Sequence, residues 1–183
     1  MTIFEYLTVA VSLILALGLS KLVSSVPFVF HRERRDWLHI LVFVLAISTH
    51  IVIWWNIWLL NEIPNWTIFQ FAILMASPLS LYLFATALLS PDPSQVSDWK
   101  QYLAEHSFLV FASAVAVLFF SLMRNIFILG ADGRVLPTVV FPLILMSTLL
   151  FGSFSQRRSV HASIIVLVYM FMTYVLVRNF VAS

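Results

Sequence analysis

Four side chains stand where an ionisable group could do chemistry in otherwise apolar surroundings: Lys21, His50, Arg124 and Arg178. Each sits in a long hydrophobic stretch, where a charge is costly and marks a functional position by default. No aspartate or glutamate lies at mid-depth in any of these stretches. Proton and cation pathways usually run through a buried carboxylate, so the fixed charges favour an anion or anionic headgroup instead. His50 lies halfway along its stretch, on a stripe with His39, Phe43, Ala46 and Trp54. It could be a proton switch, a haem or metal ligand, or a ligand-binding group. The plainer alternative is a neutral imidazole bonded to a neighbouring helix through Ser12, Ser77 or Tyr169. Arg124 and Arg178 are comparably deep and could pair with Glu5 or Glu62, with Glu5–Arg178 the expected ion pair. They could equally snorkel to the interface, as could Lys21, which otherwise would meet an anion if turned inward.

Other constellations carry less. His39, His106 and His161 stand at similar depth, which raises a metal or b-type haem site. No His-x-x-x-His pair or flanking carboxylate supports one, so the reading implies no cofactor and keeps this as a minor alternative. The chain has no cysteine, hence no disulfide or thiolate ligand. There is no Gly-x-Ser-x-Gly, His-Glu-x-x-His or phosphate-binding loop, so no enzyme is expected. Ser12, Ala16, Ser20 and Ser24 recur every fourth residue, continuing from Thr8, as a seam for helix packing within the chain or between subunits. Pro78 and Pro142 are expected to kink their helices.

The elements that must position these residues follow from composition. Of 183 residues, 62% are hydrophobic and only 10% charged, with a mean hydropathy of +1.01. A soluble domain carries charge at about a quarter of its positions, so this surface must face lipid. Six apolar stretches are visible, at about 4–30, 38–60, 67–90, 107–129, 136–154 and 160–181. Each is long enough for a transmembrane helix of about 20 residues. The expected fold is therefore all-α, a single polytopic transmembrane domain of six helices in three antiparallel hairpins. A short interfacial helix is expected at about 95–105, where Val96, Trp99, Tyr102 and Leu103 form an apolar face, with Ser94 or Ser97 as cap. The alternative is an extension of the fourth span.

Basic residues set the orientation. Arg32, Arg34, Arg35, Lys100, Arg157 and Arg158, with Lys21 nearest them, fall on one side and only Arg124, Arg134 and Arg178 on the other. The first, third and fifth loops are thus cytoplasmic, and both termini lie on the far side. Trp54, Trp55, Trp58 and Trp66 would form an outer aromatic belt, with Trp37 and Trp99 near the inner one. The even-numbered helices share a loose layout, a histidine (His39, His106, His161) followed by an asparagine (Asn56, Asn125, Asn179). The N-terminus has no basic region of a cleaved signal, so the first helix is expected to stay. Nothing suggests a nucleic-acid partner, since basic residues form no single patch.

Several of these segments together carry a likeness. Phe4-Glu5-Tyr6 with Ser12-Leu13-Ile14-Leu15-Ala16-Leu17-Gly18-Leu19 resembles the start of a group of small bacterial multi-span inner-membrane proteins. Trp37-Leu38-His39, Trp54-Trp55, Pro78 with Leu81-Tyr82-Leu83, and Arg157-Arg158-Ser159-Val160-His161-Ala162 fit the same group. The resemblance implies a bacterial inner membrane and no activity. The expected function is a non-catalytic membrane subunit, in a homo-oligomer or with other membrane subunits. The alternative is a small channel or carrier, anion-preferring if ionic, and a haem- or metal-binding protein comes third.

Overall fold

Capping residues decide where the apolar runs begin as helices. The computed structural model describes residues 3–63, 65–130 and 139–181, with side chains as far as residue 177. These residues form α1 (Ile3–Val29), α2 (Trp37–Trp55), α3 (Ile68–Leu88), α4 (Trp99–Phe127), α5 (Phe141–Phe154) and α6 (Arg158–Val181). Asp36 caps α2 by accepting from the His39 N–H at 3.0 Å. Thr67 and Gln70 form a reciprocal capping box on α3, and Asp98 caps α4 through the Lys100 N–H at 2.7 Å. Each such cap is worth about 1 kcal/mol because it satisfies a donor that the helix start leaves orphaned. Gly130, with φ of 69°, takes up the left-handed conformation just beyond α4, which glycine adopts without steric cost.

The chain is all-helical, with no strand among the described residues. Five helices are long and apolar enough to cross a membrane, α2 counting together with the 3₁₀ turn Asn56–Leu60 that continues it. Helix α5 has 14 residues and so covers about 21 Å at 1.5 Å per residue, less than the roughly 30 Å of hydrocarbon. The outward surface suits lipid: Leu13, Leu17, Ile51, Trp55, Phe151 and Phe154 are all exposed.

The expected interfacial helix at 95–105 is not a separate element. Residues Pro93–Gln95 form a 3₁₀ turn, and α4 then runs unbroken for 29 residues from Trp99. No proline or glycine interrupts it, and Asp98, rather than Ser94 or Ser97, starts it. The apolar face meant for the lipid surface, Trp99 and Leu103, is buried in the bundle instead. Trp99 therefore leaves the expected inner belt. Trp54, Trp55 and Trp58 are exposed as a belt requires, and Trp66 is only partly so.

The first, third and fifth loops meet at one end of the bundle. Arg34 donates from Nη1 to the carbonyls of Ser94 (2.6 Å) and Val96 (3.3 Å). The Trp99 indole N–H donates to the Phe28 carbonyl at 3.0 Å. Asp36 receives both Nη groups of Arg158, whose guanidinium also lies over the Trp37 ring. At the opposite end, Phe4 packs near Trp58 and Gln70 bonds the Phe127 carbonyl. Consecutive helices thus alternate in direction.

Of the three consecutive helix pairs, α3 with α4 is the most closely packed, while α1 with α2 and α5 with α6 touch less. Helix α1 packs chiefly on α3, and α5 chiefly on α4, leaving α2 and α6 more loosely held. The small-residue seam of α1 does not serve inside the chain. Its buried stripe is Leu7, Val11, Leu15, Gly18, Leu22, Ser25 and Val29, spaced three and four apart, while Ala16, Ser20 and Ser24 are exposed. Larger side chains on that stripe remove more apolar surface from outside the bundle. Pro78 lies inside α3 as expected. Pro142 stands in the first turn of α5, where its missing N–H costs little, and a π turn at Val139 and Val140 leads into that helix.

Candidate functional site

Loose packing of α2 against α4 and α6 leaves a chamber of about 330 Å³ among α2, α4, α5 and α6. Its walls are aliphatic and aromatic for most of their length: Val42, Leu45 and Val52 of α2, Val110, Phe111 and Leu118 of α4, Leu145 and Leu149 of α5, and Ile165 and Val168 of α6. Polar groups gather towards the end that holds the second loop, where Asn56, Ser121, Arg124 and Asn125 line the space. Thr49 also lines it, but its hydroxyl donates to the Leu45 carbonyl at 2.8 Å and is spent on its own helix.

Arg124 is the strongest feature of this chamber. It stands one turn before the end of α4 and is only 6% exposed, so it does not snorkel outward. Its Nη2 makes one long hydrogen bond, 3.4 Å, to Oδ1 of the adjacent Asn125. Its Nε is buried with no acceptor. Among the described residues no carboxylate stands within salt-bridge distance of it. A guanidinium removed from water and left unpaired costs several kcal/mol. Arginine also presents a planar fork of donors suited to a carboxylate or phosphate. An anion entering the chamber would therefore find a ready counter-charge, with amide groups from two asparagines beside it.

The other three expected charges are placed differently. His50 is buried, but Nδ1 donates to the Ala46 carbonyl of its own helix at 2.8 Å, not to Ser12, Ser77 or Tyr169. A histidine four residues after a carbonyl on a helix reaches it without any partner helix, which is why the expected bond is not made. Its Nε2 is shielded and unbonded, and it faces α1 at Gly18, where a Cβ would come within 2.5 Å of that nitrogen. Tyr169 instead donates to the Leu41 carbonyl at 2.8 Å, tying α6 to α2. Lys21 is half-buried on α1 and its backbone carbonyl accepts the hydroxyls of Ser24 and Ser25. Neither His50 nor Lys21 lines the chamber. The side chain of Arg178 lies outside the described residues, and with it the Glu5–Arg178 pair.

The three loop-end histidines have three different environments. His39 is fully buried and stacks on Trp99 at 4.5 Å, with neither ring nitrogen bonded. His106 stacks on Tyr102 at 4.1 Å and donates from Nδ1 to its carbonyl. His161 donates from Nε2 to the carbonyls of Ser155 and Gly152, closing the end of α5. Among the described residues no three His, Asp or Glu side chains converge to hold a metal.

Comparison of the chain with protein-family models, with curated proteins and with solved structures finds no match in any of the three. In the sequence Asn56 and Asn125 stand only as landmarks of a loose repeat; that both follow a histidine by 17–19 positions is a signal of shared depth. Ser121 carried no signal, since one serine in an apolar helix is ordinary.

Proposed function

We propose that this chain is a six-span integral membrane protein of the bacterial inner membrane whose bundle holds a binding chamber for an anionic group. We read it as non-catalytic: Arg124 supplies charge and orientation, and no histidine or carboxylate among the chamber's lining residues stands by to activate the Ser121 hydroxyl. The short α5 serves as the sixth crossing. The basic first, third and fifth loops face the cytoplasm and both termini face away, in keeping with the positive-inside rule. The observation that carries this reading is the burial of Arg124 beside the chamber with no carboxylate partner among the described residues.

A thermal-shift series on purified protein tests the sign of the preferred charge. Carboxylates from acetate to octanoate are compared with trimethylammonium ions of equal chain length. Carboxylates should stabilise the protein by several degrees more than the matched cations, because binding to the folded state raises its stability. Arg124→Gln should erase the difference. Equal shifts for both signs of charge would remove the anion reading.

A second reading, self-association, has an observation of its own. Ala16, Ser20 and Ser24 of α1 turn outward together, a surface on which a helix of a second copy could pack closely. Native mass spectrometry of the protein released from nanodiscs would test it. Ala16→Leu should lower the oligomer fraction if that face is the contact, and a protein that is only monomeric ends the reading.

A further inference from the structure

We infer that the occupant of the chamber is a single-chain long-chain carboxylate, taken from within the bilayer between α2 and α6. The inference rests on the anion reading above and adds the shape, the charge number and the entry route of the ligand.

Shape comes first. The lining runs from Asn56 to Val42 along α2, which at 1.5 Å per residue is about 21 Å. One leaflet of hydrocarbon is about 15 Å thick, half of the roughly 30 Å core. A space of about 330 Å³ drawn out over that length is a slot with room for one acyl chain. With the Thr49 hydroxyl bonded to its own helix, the polar groups open to a ligand sit at one end, so an occupant must be polar at one end and apolar along the rest.

Charge number selects the head. Among the described residues Arg124 is the cation that lines the slot. A carboxylate carries one negative charge and neutralises it, accepting two parallel N–H bonds from the guanidinium fork. A phosphate monoester carries about −1.5 to −2 at neutral pH and would leave a buried excess charge. Oδ1 of Asn125 accepts from Arg124, which leaves its amide NH₂ as a further donor for the same head.

The route is visible on the outside of the bundle. Ile165 lines both the chamber and a groove on the outer surface formed by Leu41 of α2 with Val166, Tyr169 and Met170 of α6. Helices α2 and α6 touch only sparsely, and the Tyr169–Leu41 hydrogen bond is a polar tie across their seam. An acyl chain could slide through such an apolar seam without meeting water.

The test measures binding to delipidated protein in nanodiscs, with palmitate, acetate and hexadecanol as separate probes. Palmitate should bind one per chain, at least tenfold more tightly than either acetate or hexadecanol. Arg124→Gln should weaken palmitate by roughly tenfold to a hundredfold, the range for a lost charge-assisted bond. In case that variant folds poorly, Ala114→Leu narrows the slot wall away from the head; it should weaken palmitate at least tenfold and leave acetate unchanged. Acetate binding as tightly as palmitate would overturn this inference while leaving the anion reading intact. Hexadecanol binding as tightly as palmitate would overturn both.

Discussion

Helix α2 has two flanks, and they solve the problem of a polar group inside a membrane in opposite ways. On the α1 side, His50 satisfies one nitrogen on its own helix and presses the other against Gly18. No space is left there, although that nitrogen has no hydrogen-bond partner. On the α4–α6 side, Asn56 and Thr49 face a chamber into which Arg124 brings a charge without a carboxylate among the described residues. The contrast follows from side-chain size: glycine lets two helix backbones close on a histidine, whereas no residue as small draws α2 against α4. A buried ionisable residue is thus a sign of function only where space and missing partners go with it.

Substitutions that change the space on each flank should therefore have opposite signs. The largest effect is expected at Gly18. Leucine there would drive side-chain atoms into the His50 ring, whose Nε2 already lies 2.5 Å from an ideal Cβ. A loss of about 3 kcal/mol, the upper range for overpacking, should appear in denaturant unfolding of the reconstituted protein. The milder Gly18→Ala should be partly rescued by His50→Ala in a double-mutant cycle. Additive losses would mean that the two residues do not meet.

Arg124 offers an effect of opposite sign. Replacing a lone buried charge with an apolar side chain of similar length removes its desolvation penalty. Delipidated Arg124→Met should accordingly unfold at higher denaturant than the wild type, by about 1–2 kcal/mol, while losing stabilisation by long-chain carboxylates. A variant less stable in the empty state would point to a partner for Arg124 among residues beyond those described. The smallest effect is expected for Ala114→Leu on the chamber wall. With room for the added methyl groups, the change in stability should stay within about 0.5 kcal/mol, well below the cost at Gly18.

Much of the fold was legible in the sequence because lipid imposes a simple rule: long apolar runs become helices. The clustering of loop arginines foretold which loops share an end, whereas the caps at Asp36, Thr67 and Asp98 are visible only in the structure. The start of α4 was open to two readings, since an amphipathic face reads alike whether it meets a membrane surface or Tyr102 and His39. The seam on α1 misled for a related reason. Small residues permit close packing from either side of a helix, but only the neighbours decide which side is used. The candidate site was half legible. Arg124 stood out by its charge, but a chamber is made by helices that fail to touch, and no local pattern records that.

The most direct measurement is an experimental structure in nanodiscs to which palmitate has been added. The account predicts acyl density along the α2–α4 slot, with its carboxylate against the Arg124 guanidinium and the amide of Asn125. A collapsed chamber, with the Arg124 side chain turned out to the membrane interface, would contradict it.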